Sequence, residues 1–173
     1  MREDVPFKKL GDVCIVTGGG TPSKKRDDFY GGEIPWATVR DMNYDVLEET
    51  DHRITVLGLE NSSANVIPKD NIVIATRVGL GKVCKLKQDT AINQDLKGII
   101  PKNDDLITDY LFLWFKSISD KIIEAGTGAT VQGVKIPFVK NLKIPIPPLP
   151  EQKRIVEILD EAFEAIDQAR ANV

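Results

Sequence analysis

Arg40, Arg77 and Lys82 fall where short apolar runs give way to turn-forming residues, the positions from which long side chains reach into a groove. A guanidinium can engage guanine through two hydrogen bonds, and an Asn or Gln carboxamide can engage adenine the same way. Lys24, Lys25, Arg26 and Lys135, with the backbone N–H groups of the neighbouring Gly/Thr loops, offer the charge and donors that hold phosphates. Thr127, Thr130 and Gln132 add short polar contacts from a single loop, Gly126–Gly133. Singly, each of these groups reads equally well as a solvated surface residue or a turn. Taken together they suggest binding chemistry.

Catalytic chemistry finds less support. Gly18-Gly-Gly20 lacks the Lys-Ser/Thr that a phosphate-cradling loop needs after its last glycine. Gly79-Leu-Gly81-Lys82 lacks the third glycine and the helix of a dinucleotide fingerprint, and Gly126-Thr-Gly128 follows a helix instead of a strand. The single histidine, His52, sits in a charged segment without an evident orienting partner, so no nucleophile has its base. Glu48-Glu49 and Asp104-Asp105 are explained by a loop and a helix cap. One histidine and two distant cysteines, Cys14 and Cys84, do not make a metal site, and both cysteines read as buried thiols of a reducing cytoplasm. No catalytic residue, metal site or cofactor is expected in this chain.

The 173 residues carry a net charge of −3, which argues against a nucleic-acid partner until its distribution is considered. The last 23 residues hold the whole imbalance, and the first 150 are neutral. Within those, Ile72–Gln88 contains Arg77, Lys82, Lys85 and Lys87 with no acid, and Ala125–Pro150 contains Lys135, Lys140 and Lys143 with none. Acids gather instead between Asp41 and Asp51. Such segregation permits a basic face on a neutral body. No apolar run approaches the roughly 18 residues of a membrane span, and the charged start is not that of a signal peptide.

The elements that must carry these side chains read as an α+β body. Lys9–Thr17 predicts a first strand with Leu10, Val13 and Ile15 inward, broken by Gly18–Ser23. Ile34–Arg40 is a short strand with an edge-type proline, and Ile54–Asn65 contains a short helix. Asn71–Arg77 is compact and rich in β-branched residues and predicts the best strand, turning through Val78–Lys82 into Val83–Leu86. Ala91–Ile100 is a strand with a polar interruption. One long helix then runs to Gly126, capped by Asp104 or Asp105, with Ile107, Leu111, Trp114 or Phe115, Ile118 and Ile122 on its apolar face.

Prolines 145, 147, 148 and 150 next forbid helix and favour an extended strap, with Pro150 suited to a first helical turn and Glu151 to the helix dipole. Ile155, Leu159, Ala162, Ile166, Ala169 and Val173 follow at alternating spacings of four and three, a seam that packs lengthwise on another helix. The expected organisation is a globular domain over residues 1–149, with a mixed, mostly antiparallel sheet, and a coiled-coil-type helix over residues 150–173 that self-associates.

Four pieces in order give this chain a resemblance to the specificity subunit of bacterial type I restriction–modification enzymes. They are Leu10-Gly-Asp-Val13 with Gly19-Gly-Thr-Pro-Ser23; Tyr30-Gly-Gly-Glu-Ile-Pro-Trp36; Ala91-Ile-Asn-Gln94; and Ile144-Pro-Ile-Pro-Pro-Leu-Pro-Glu-Gln-Lys-Arg-Ile155. The resemblance implies a non-catalytic, cytoplasmic target recognition domain that reads one half of a split double-stranded DNA sequence. It implies a spacer helix that docks methyltransferase (modification) subunits and a restriction subunit, with S-adenosylmethionine, ATP and Mg belonging to those partners. One domain and a short helix depart from the family's two-domain pattern and suggest a half-subunit or a fragment. A coiled-coil adaptor with a protein-binding head is the competing reading.

Overall fold

A computed structural model describes residues 5–127 and 133–171. The chain opens with β1 (Phe7–Lys9), α1 (Leu10–Val13), β2 (Cys14–Gly18), β3 (Tyr30–Ala37), β4 (Val46–Leu47), β5 (His52–Ile54), α2 (Val56–Glu60) and β6 (Asn65–Ile67). It continues through β7 (Ile72–Ala75), β8 (Val83–Leu86), β9 (Thr90–Ile92), β10 (Leu96–Pro101), α3 (Thr108–Ser117) and α4 (Ser119–Gly126). After α5 (Ile136–Asn141) and β11 (Lys143–Pro145) it ends in α6 (Leu149–Ala171). The strands form three sheets, of order β2-β10-β7-β8-β4, β5-β3-β9-β6 and β1-β11. Among the described strands only β3–β9 and β4–β8 pair in parallel. The α+β class, the mostly antiparallel pairing and the long terminal helix are as the sequence predicts.

Layering follows from β7. Its four residues are apolar without alternation, so both faces must be covered. Ile72 and Ile74 pack against Leu111 and Phe115 of α3, while Val73 and Ala75 pack against Ala37, Ile67 and Ile92 of the second sheet. Helices, five-stranded sheet and four-stranded sheet thus make three layers. At Gly98 the two sheets approach so closely that a Cβ would stand 2.2 Å from Ile67 Cδ1. Cys14 and Cys84 are buried free thiols, and burial pushes both up to about 12.

Several elements differ from their sequence expectation for traceable reasons. The first strand is interrupted by α1, whose Leu10 N–H donates to Leu142 O at 2.8 Å and so docks the turn beside α5. That turn shifts the phase: Cys14 and Val16 face inward, and Ile15 is 49% exposed instead of buried. The strand expected at Ile34–Arg40 begins earlier, at Tyr30, and ends at Ala37 before a 3₁₀ turn, Val39–Asp41, capped by Thr38. The run Ala91–Ile100 is two strands in two sheets, and its polar interruption, Asn93–Asp95, is the crossing between them.

The long helix is likewise two, α3 and α4, broken at Ile118, where the Ser117 hydroxyl donates back to Trp114 O at 2.7 Å. Neither Asp104 nor Asp105 caps α3 with its side chain. Ile107 N–H donates to Gln152 Oε1 at 3.1 Å instead.

The strap is extended as its prolines require. β11 pairs antiparallel with β1, Ile146 N–H donates to Pro6 O at 2.9 Å, and α6 starts with Pro150 in its first turn. Gln152 has no exposed surface and donates Nε2 to Asp105 O (2.7 Å) and Pro147 O (2.9 Å) while accepting from Ile107. Of the expected pairing seam, Ile155 is covered by the body itself together with Val156, and Leu159 is half-buried. Ala162, Ile166 and Ala169 are exposed, as is every residue from Asp160 to Ala171. Val173 lies outside the described residues. No described helix is long and apolar enough to cross a membrane.

Candidate nucleic-acid interface

Strand directions bring five connections to one edge of the stacked sheets. Gly18 at the end of β2 lies opposite Lys97, Ala75 at the end of β7 opposite Leu96, and Ala37 at the end of β3 beside Ile92. The segments that follow these ends are therefore neighbours. Gly20 N–H donates to Ile92 O (3.0 Å), Asn93 N–H to Ala37 O (3.0 Å) and Thr76 N–H to Asp95 O (2.8 Å). The base of the Gly126–Gly133 loop joins them, with Gly133 N–H donating to Gly126 O (3.0 Å) and Val134 N–H to Thr76 O (2.7 Å).

This edge gathers most of the candidate cations. Lys24 and Arg40, both exposed, line one cleft of ≈ 770 Å³ whose floor includes Trp36, Tyr30 and His52. Trp36 is held by its indole N–H, which donates to Gly20 O at 3.1 Å, and by an edge-on contact with Tyr30. Tyr30 O–H donates to Pro22 O at 2.6 Å, so the aromatic floor fixes the path of the Gly18–Ser23 loop. Arg77 leaves the next connection, with Nη1 3.5 Å from Asp95 Oδ1 and more than half of its side chain exposed. Lys82, exposed, closes the same hairpin, its carbonyl accepting from Ala75 N–H. Lys135 is exposed one residue beyond Val134.

The remaining candidates are placed differently. Arg26 is engaged by Asp28 through two hydrogen bonds (2.8 and 2.6 Å) and lies over the Phe29 ring. The Arg26 guanidinium holds the Asp28 carboxyl below its ordinary range. Lys25 is exposed, its N–H directed at Ser23 Oγ. Thr127 is exposed, its hydroxyl donating to Glu124 O at 3.2 Å. Thr130 and Gln132 lie outside the described residues.

Residue patterns alone do not single out the turn Asn93–Asp95, which shares the cleft with Lys24 and Arg40. Its signal is present in the sequence: three polar residues, Asn93–Asp95, interrupt the apolar run between Ala91-Ile92 and Leu96. Lys97 lies half-buried beneath it, and its Nζ donates to Gln94 O (2.8 Å) and Leu96 O (2.9 Å). Desolvation by this burial lowers the Lys97 ammonium from its ordinary value, Asp95 opposing and Arg77 reinforcing the shift. The arrangement presents several cations, carboxamides and a polar cleft at one rim, which suits a polyanion with readable edges.

A family described as the type I restriction modification DNA specificity domain matches residues 2–173, and the chain belongs to that family. The MjaIX type I restriction enzyme specificity subunit of Methanocaldococcus jannaschii is 31% identical over 173 residues, covering 97% of this chain and 40% of the relative. The EcoR124I/EcoR124II type I restriction enzyme specificity subunit of Escherichia coli is 34% identical over 165 residues, covering 91% and 41%. The crystal structure of the HsdS subunit from Thermoanaerobacter tengcongensis superposes with a TM-score of 0.76 at 23% identity, over 99% of this chain and 42% of that one, and shares the fold. The chain spans about two-fifths of the length of the curated relatives it matches.

Proposed function

We propose that this chain is a non-catalytic recognition unit that reads one half of a bipartite double-stranded DNA target within a type I restriction–modification complex. Its helix α6 docks the methyltransferase and restriction subunits, and S-adenosylmethionine, ATP and Mg are bound by those partners. The exposed run beyond Asp160, with Phe163 and Ile166 about half exposed and Ile158 just before it likewise, supports helix pairing or self-association through residues 151–173. The observation that carries the DNA reading is the single edge at which strand ends collect Lys24, Arg40, Arg77, Lys82 and Lys135.

Titration of the chain with labelled duplex DNA at several salt concentrations tests it. Affinity should fall steeply with salt, with a log–log slope of about −0.9 per phosphate contacted. Arg40→Ala and Arg77→Ala should each weaken binding by about tenfold or more, since a hydrogen bond to a charged group contributes about 1.5–3 kcal/mol, while leaving the circular dichroism spectrum unchanged. Salt-insensitive binding without preference for DNA returns the adaptor reading.

A further inference from the structure

We infer that Arg40 is a specificity-determining residue that reads the major-groove edge of a G·C base pair, with Asn43 as its positioning residue. This deepens the reading of the loop edge as a DNA interface and rests on it. Arg40 stands outside the four motif pieces, in the connection between β3 and β4. Its side chain is exposed at the cleft of ≈ 770 Å³. Among the described arginines, its guanidinium alone makes neither a hydrogen bond nor an ion pair. Arg26 is taken by Asp28, Arg53 by Glu33 O at 2.8 Å and Arg77 by Asp95, while Arg154 and Arg170 face Glu151 and Asp167 along α6.

The neighbouring acids are occupied by the scaffold. Asp41, next in the chain, accepts through Oδ2 from the Thr38 N–H (2.7 Å) and hydroxyl (3.0 Å) and through Oδ1 from Asp51 N–H (2.8 Å). Asp45 is held by Lys116 at 2.7 Å, and Asp95, in the cleft itself, faces Arg77 and Asn93. The same turn fixes the root of the arginine. Arg40 N–H donates to Thr38 Oγ1 at 3.3 Å, and Arg40 O accepts from Asn43 Nδ2 at 2.8 Å. The β7–β8 hairpin braces the turn from the side, since a Cβ on Gly79 would stand 2.6 Å from Val39 Cγ2.

A free fork of N–H donors on a fixed root suits a pair of acceptors at a set place. Guanine offers N7 and O6 side by side in the major groove. Adenine offers N7 beside an N6 amino donor, which would meet the fork proton to proton. A phosphate can be approached from many directions and needs no such root. Lys24, at the same cleft, is a point charge on a flexible stem and suits that role. Arg77, with Asp95 at 3.5 Å, has part of its fork engaged and falls to the backbone as well.

The test is selection from a duplex pool with randomised positions by the chain and its variants, read by sequencing. The wild-type chain should enrich G·C at one position, and Arg40→Ala should lose that enrichment by about tenfold or more while keeping the other preferences. Asn43→Ala should weaken the same position by less, and Lys24→Ala and Arg77→Ala should lower affinity evenly across sequences. Replacing the selected guanine by 7-deazaguanine removes one acceptor without altering the protein. It should lower the affinity of the wild-type chain by about tenfold and leave that of Arg40→Ala unchanged. An Arg40→Ala profile identical to wild type, or one weakened evenly at all positions, overturns the assignment of Arg40 and leaves the DNA reading standing, as does a wild-type chain indifferent to 7-deazaguanine. A wild-type chain with no preference at any position overturns both.

Discussion

Gln94 lies at the loop edge with its carboxamide exposed and held at one atom by Thr21, whereas Gln152 lies at the strap with no exposed surface and three hydrogen bonds. The same side chain serves opposite purposes because its surroundings differ in how many partners they supply. At the strap, Ile107 N–H, Asp105 C=O and Pro147 C=O would be unpaired in an apolar setting, and one buried carboxamide satisfies all of them. At the loop edge the backbone groups are already satisfied by Thr76, Ala37 and Lys97, so the Gln94 carboxamide is left over. A saturated carboxamide fixes where the helix leaves the body, and an unsaturated one is available to a ligand.

The contrast can be broken most forcefully at Gln152. Gln152→Met keeps the volume and removes all three hydrogen bonds, and urea unfolding should show a loss of about 3 kcal/mol, the usual effect of orphaning several buried groups. A loss under about 1 kcal/mol would mean that the strap is held by Ile144, Ile155 and their apolar neighbours alone. Next in size is Gly19→Ala, which drives a methyl group into the carbonyls of Ile92 and Asn93. Overpacking against backbone of this kind costs about 2 kcal/mol, and it should displace the turn that carries Gln94. The smallest effect is expected for Gln94→Ala itself, whose unfolding free energy should stay within about 0.5 kcal/mol of wild type. A larger change would make Gln94 a structural residue like Gln152 and erase the distinction.

Local chemistry made part of this arrangement legible in the sequence. The unbroken apolar run at β7, the short helix α2 within Ile54–Asn65 and the proline strap with Pro150 in the first helical turn all depend on residues within a few positions. The elements that differed depend on distant ones. α1 turns because Leu142 accepts from Leu10, and α3 begins where Gln152 meets Ile107, partners that no local pattern reveals. The candidate cations were recognisable because they follow strand ends, but which ends share an edge is set by strand direction and sheet order. Arg26 was drawn away by an acid two residues on. Gln94 stood in the sequence only as one letter of a family motif, because the crossing between two sheets looks, in one dimension, like a flaw in a single strand.

The pairing of β1 with β11 places Lys8 opposite Ile144, with nearly the entire body between them. A contact of such sequence separation closes the longest loop among the described strand pairings, and loop-closure entropy makes contacts of this kind the slow ones to form. The hairpin β7–β8 and helix α3 can assemble from near neighbours, but β11 has no strand to join until the rest has brought the two ends together. The outgoing helix therefore acquires a defined direction only when the two ends of the body have met. Order of folding becomes a form of quality control, in which an unfinished body carries no oriented helix.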